Sequence, residues 1–148
     1  FFVSYIGYIL VPAVGPRFHL HDFFATNSEL PGLLLTNFLR EIINTGESIP
    51  AGTLNPIEVV QRDVFPSGHT MMTAIVMYIS YKLKDKTQYF LLPIGTLLIF
   101  STVYLRYHYF IDVFAGLICA LFSLTTGYYI FNYWQKKVSR ELFNYRKC

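Results

Sequence analysis

Two histidines, an aspartate and a short Pro-Ser-Gly turn are set into a chain that is otherwise apolar. His108 and Asp112 are four residues apart, so on a helix they would share one face. In that geometry the carboxylate accepts from one ring nitrogen, fixes the tautomer and leaves the other nitrogen to act as a nucleophile. His69, in a different segment, is then available as the acid that protonates a departing alkoxide. Just before it, Pro66-Ser67-Gly68 opens an apolar run. The first N–H groups of a helix starting there have no internal partner and carry partial positive charge, so they suit an anion. Ser67 adds a hydroxyl donor, and Gly68 allows the backbone to come close to a ligand. The combined chemistry is phosphoryl transfer.

Composition says where this chemistry takes place. Of 148 residues, 53% are hydrophobic and 18% aromatic, while only 14% are charged, a balance too apolar for an ordinary soluble domain. Between Lys86 and Lys136 the only ionisable side chains apart from Tyr and Cys are Arg106, His108 and Asp112. Ionisable groups at membrane depth cost roughly 2.5–3.5 kcal/mol each on insertion scales and are usually retained for function. The formal charge of +3 is too small and dispersed for nucleic acid. Cys119 and Cys148 form neither a disulfide framework nor a metal pattern.

These groups must be positioned by membrane helices. The apolar runs predict spans at 1–16, 67–81, 89–107 and 109–134, joined by a polar segment at 17–64 and followed by a tail at 135–148. The first run is short of the ~20 residues that a crossing helix needs, which leads us to expect an N-terminally incomplete domain. Within the polar segment, Leu34, Leu35, Phe38, Leu39, Ile42 and Ile43 recur at helical spacing and predict an amphipathic helix over 31–44. Two outcomes are open for it: packing on the rest of the protein, or lying in the membrane interface. The basic clusters Lys82-Lys84-Lys86 and Lys136-Lys137-Arg140 place both loop and tail in the cytoplasm. Arg17, the Pro66–His69 turn and the Arg106–Asp112 segment then converge on the extracytoplasmic face.

Pro66-Ser67-Gly68-His69 and Ser101 to Asp112 resemble motifs two and three of the type 2 phosphatidic acid phosphatase superfamily, P-S-G-H and S-R-x5-H-x3-D. The resemblance implies an all-α polytopic bundle, here the C-terminal portion of a six-helix core. It implies His108 as nucleophile forming a phosphohistidine, Asp112 as its partner, His69 as acid, and Ser67 and Gly68 as phosphate ligands. It implies no metal or cofactor. The implied substrate is a lipid phosphate or diphosphate, hydrolysed at a membrane, and a bacterial inner membrane is the expected setting.

The chain departs from the family in its cations. Motif one is K-x6-R-P, but Arg17 is followed by Phe18 and preceded seven positions earlier by Leu10. Thr102 stands where motif three has its arginine. Because phosphoryl transfer is stabilised mainly by positive charge, Arg17, Arg62 and Arg106 are the candidate replacements. Arg106 would lie one helical turn beyond Thr102, about 40° around the axis. The Gly15-Pro16-Arg17 segment resembles the branch similar to inositol phosphorylceramide synthases, which transfer to a lipid alcohol. Hydrolase and phosphotransferase are both open on this reading, as is a non-catalytic transporter or scaffold with a degenerate site. A soluble vanadate-dependent haloperoxidase relative conflicts with the apolar composition. His19, His21 and Asp22 are read as solvated loop residues rather than a metal site.

Overall fold

The computed structural model describes residues 2–84 and 86–145, with side chains described up to Ser139. Cys148 lies outside the described residues. The fold is all-helical: α1 (Phe2–Leu10), α2 (Pro16–His19), α3 (Thr26–Glu29), α4 (Thr36–Gly46), α5 (Pro56–Val59), α6 (Gly68–Leu83), α7 (Gln88–Tyr104) and α8 (Phe110–Tyr145). Among the described residues there is no β-sheet, only an isolated parallel bridge between Ala13 and Asp63.

Helix α6 is the centre of the bundle, packed against α7 and α8, while α1 touches α8. Small residues let the helices approach each other closely. A Cβ on Gly116 of α8 would lie 2.6 Å from the Ser67 carbonyl oxygen, and one on Gly95 of α7 would lie 2.5 Å from Met77 Sδ. Met71, Val113 and Ala120 are buried, yet Ser4, Arg17, Ser67, Thr70, His108 and Asp112 are buried as well. The core is therefore polar at one end, the end that carries the motifs.

The outer faces are apolar, with Leu97, Phe100, Leu121, Phe122, Ile130 and Phe131 exposed. Among the described residues one helix, Phe110–Ser139, is long and apolar enough to cross a membrane. Its most apolar stretch is only 22% buried, so the chain itself does not cover that surface. The spans expected at 67–81 and 89–107 are helices of 16 and 17 residues, short of the ~20 that span a bilayer. The structure thus supports an all-helical fold with one candidate membrane span among the described residues. The tail expected from 135 continues α8 without a break as far as Tyr145.

The amphipathic helix starts later than its pattern suggests. Leu33, Leu34 and Leu35 lie ahead of α4 and are exposed, and no residue of α4 is buried. Its apolar face is uncovered in this chain.

Candidate active site

Helix ends position the motif side chains. Ser67 is the N-cap of α6, where its Oγ accepts from the Thr70 N–H at 3.3 Å and from the Thr70 hydroxyl at 3.0 Å. Its own N–H donates to the Asp112 carbonyl at 3.0 Å, which ties the start of α6 to the first turn of α8. His69 follows one residue into α6 and is open to a cleft.

His108 lies ahead of α8, so the expected shared helical face does not exist. The pairing arises differently. Asp112 is the third residue of α8, and its Oδ2 reaches back to accept the Tyr109 N–H at 2.7 Å, the carboxylate half of a capping box. That cap aims the same oxygen at His108 Nδ1, 3.7 Å away. This separation is longer than a hydrogen bond. His108 Nδ1 is buried and has no other partner. The His69 and His108 rings stand 5.9 Å apart, tilted by 59°.

The end of α7 fixes His108 from the other side. Arg106 adopts φ 65°, and the Arg106 and Tyr107 N–H groups donate to the Val103 and Thr102 carbonyls, both at 3.0 Å. That is a Schellman cap with arginine in the left-handed position usually given to glycine. The His108 N–H shares the Thr102 carbonyl at 3.0 Å. Position 102, where motif three has arginine, here holds the nucleophile candidate through its backbone.

This cap corrects the expectation for Arg106. The chain is not helical at that position, and its guanidinium pairs with Glu29 on the exterior, away from the histidines. Arg62 is exposed and does not line the cleft. Arg17 does. Its N–H donates to the Arg106 carbonyl at 3.2 Å, and a Cβ on Gly15 would lie 2.6 Å from the Tyr107 carbonyl, so the Gly15-Pro16-Arg17 segment docks on the α7 turn. The Arg17 side chain is 5% exposed. Its guanidinium carbon lies 4.7, 5.4 and 4.6 Å from the ring centres of Phe18, Phe23 and Tyr107. Nη1 donates to Asn44 Oδ1 at 3.0 Å, and Nη2 is ion-paired with Glu47.

A cavity of about 380 Å³ gathers Arg17, His69 and His108 with Tyr8, Glu47, Asp63 and Tyr107. Ser67 and Gly68 do not line it. Ser67 is fully buried, and Gly68 packs against the Tyr8 hydroxyl so closely that any side chain would collide with it. Asp112 stands behind His108. Neither Glu47 nor Asp63 was anticipated: Glu47 lies thirty residues from Arg17, and no local pattern links them. Burial pushes the Glu47 carboxyl up, and the Arg17 guanidinium opposes that shift. Among the described residues no group of three His, Cys, Asp or Glu side chains could hold a metal. His21 lies 3.9 Å from Glu29 in the outer loop.

Residues 1–126 match the PAP2 superfamily, and the chain belongs to that family. Over 128 residues, 86% of the chain, it is 28% identical to a PA-phosphatase related-family protein of Dictyostelium discoideum. The chain spans 21% of the length of that relative. The relative is a eukaryotic protein and lends no support to a bacterial setting. No solved structure matches the chain.

Proposed function

We propose that the chain carries the catalytic centre of a membrane phosphatase that acts on a lipid phosphate or diphosphate through a phosphohistidine. Membership of the PAP2 superfamily supports phosphatase-type chemistry at a membrane. The observation that carries the rest is the meeting of His108, backed by Asp112, with His69 and Arg17 around one cavity. With Nδ1 turned to the carboxylate, Nε2 attacks phosphorus. A P–N bond forms, a P–O bond breaks, and His69 gives a proton to the departing alkoxide. Asp112 offsets the positive charge that grows on the imidazole, and Arg17 offsets the negative charge on the phosphoryl oxygens. In the second step water gives its proton to His69 and attacks phosphorus, and the P–N bond breaks. Residues 17–64 lie outside the bilayer on the extracytoplasmic side in this reading, and none of these steps draws on a metal.

A lipid alcohol as acceptor in place of water is favoured by one feature. A second cavity of about 680 Å³ shares Arg17, Ile43 and Tyr107 with the first, which leaves room for a second substrate beside the phosphoryl group.

Brief exposure to a radiolabelled lipid phosphate followed by denaturation tests the covalent step. Label should be acid-labile and base-stable, absent in His108→Ala, and longer-lived in His69→Ala. Turnover by His108→Ala, or label that maps elsewhere, would overturn the assignment. Vanadate should inhibit as a mimic of five-coordinate phosphorus, and a chelator should not.

A further inference from the structure

The N-terminus of α6, the expected phosphate site, is covered from within the chain. Ser4, Gly7 and Tyr8 are spaced by three and four residues, so they share one face of α1. That face sits on the Pro66-Ser67-Gly68 turn. Ser4 is buried, a methyl group on Gly7 would strike the Pro66 ring, and one on Gly68 would strike the Tyr8 hydroxyl. The Tyr8 oxygen is hydrogen-bonded to the Ser4 side chain and to the Gly68 backbone. An N–H in the first turn of a helix has no partner inside that helix. The phenolic oxygen therefore stands where the sequence pattern puts a phosphoryl oxygen. Tyr8 also lines the cavity that holds Arg17, His69 and His108, whereas Ser67 and Gly68 do not.

That cavity offers few donors to a phosphoryl group. Among the described residues that line it, Arg17 is the one permanent cation, and its guanidinium is shared with Asn44 and Glu47. The Thr102 hydroxyl donates to the Ile99 carbonyl at 2.8 Å, and the Tyr107 ring lies against the Arg17 guanidinium. Leu10, at the position of the missing motif-one lysine, is exposed and does not line the cavity. Ser4 and the Gly68 N–H can both donate to the phenolic oxygen of Tyr8, which leaves its own proton for the cavity. Such a chain polarises the hydroxyl and makes it a better donor.

We propose that Tyr8 is a further catalytic residue, whose hydroxyl donates to a phosphoryl oxygen while His108 attacks and so stands in for the covered N-terminus of α6. The proposal rests on the phosphoryl-transfer reading above and adds a ligand to the same site. A neutral donor serves a monoester and a diphosphate alike, and its hydrogen bond strengthens as negative charge gathers on the oxygens in the transition state.

Tyr8→Phe keeps the ring and removes the donor. In the full chain in detergent, single-turnover phosphoenzyme formation from 4-nitrophenyl phosphate and calorimetric binding of vanadate should both weaken by about 10- to 100-fold, the range for a neutral donor to a charged acceptor. Binding of inorganic phosphate, which resembles the ground state, should weaken less. Tyr5→Phe is the control: its ring meets that of Tyr8 at 5.7 Å, it does not line the cavity, and loss of its hydroxyl should leave both readouts unchanged. Native values in Tyr8→Phe, tighter vanadate binding as expected of a hydroxyl that merely shields Gly68, or an equal loss in Tyr5→Phe would overturn the proposal. If Tyr8→Phe weakens vanadate binding while the native chain forms no phosphoenzyme, the covalent mechanism falls and the ligand role of Tyr8 stands.

Discussion

Replacing Arg17 by lysine separates the charge of this residue from its geometry. The guanidinium bridges Asn44 and Glu47 and lies between aromatic rings. A lysine keeps Glu47 paired, so it avoids the ~3–5 kcal/mol that an uncompensated buried charge can cost, a figure reduced here by the partial exposure of Glu47. What goes is one net hydrogen bond to Asn44, about 1 kcal/mol, and part of the ring stacking, about another 1 kcal/mol. Arg17→Lys should therefore lower stability by roughly 2 kcal/mol, which thermal unfolding in detergent would report. Catalysis should suffer more. A lysine offers a compact point charge in place of the planar, delocalised guanidinium, and loss of a transition-state donor typically costs about 100- to 1,000-fold, or 2.7–4 kcal/mol. Single-turnover formation of the phosphoenzyme, measured below the unfolding temperature, isolates that step. A lysine variant that is less stable yet forms phosphoenzyme at the native rate would make Arg17 a structural residue and refute the reasoning.

Arg106→Ala should change turnover by less than about threefold and stability by no more than about 1 kcal/mol, because its partner Glu29 is a solvent-facing residue; a loss comparable to that of Arg17→Lys would return it to the site. Gly116→Ala drives a methyl group against the Ser67 carbonyl and should cost about 1–3 kcal/mol by forcing α6 and α8 apart, so an unchanged unfolding temperature would show that the α6–α8 crossing is looser than described. The Glu47 carboxyl is raised above its ordinary value of 4.5, so its contribution to stability is fully present below that value and is lost as pH rises through the raised one; Glu47→Gln should flatten that part of the stability profile, and an unaltered profile would assign the slope to other groups. Single cysteines at Lys84 and Ser48, in a background lacking Cys119 and Cys148, should label from opposite sides of sealed membranes, and labelling from one side would break the proposed sidedness.

The candidate site was legible in sequence because its residues are conspicuous against an apolar background: His69, His108 and Asp112 stand in runs where any ionisable group is costly. Their spacing identified a histidine with a carboxylate partner, although the pair is made by an N-terminal cap on α8 rather than by two neighbours on one helical face. Periodicity also located α6, α7 and the start of α8 to within a few residues, since long apolar runs leave few alternatives, while α8 runs past the expected end at 134 to Tyr145. The amphipathic segment was found but misplaced, because Leu33 to Leu35 continue the pattern while Pro31 and Gly32 delay the helix.

Only the tertiary structure distinguishes the three arginines: Arg17 lines the cavity, and Arg62 and Arg106 do not. The distinction turns on a single left-handed residue: Arg106 ends α7 in a Schellman cap, which sends its own side chain outward to Glu29 and offers its carbonyl to the Arg17 N–H. No helical-wheel argument carries past such a turn, because the 100° step per residue ceases to apply where the helix ends. Glu47 was invisible for a related reason. Hydrophobic periodicity reports which face of an element is apolar, whereas the meeting of Arg17 and Glu47 depends on how a thirty-residue connection of short helices folds back over the bundle. Sequence thus determined that a small set of ionisable residues sits in an apolar helical chain, and the fold decided that Arg17, with Glu47 beside it, shares a cavity with His69 and His108.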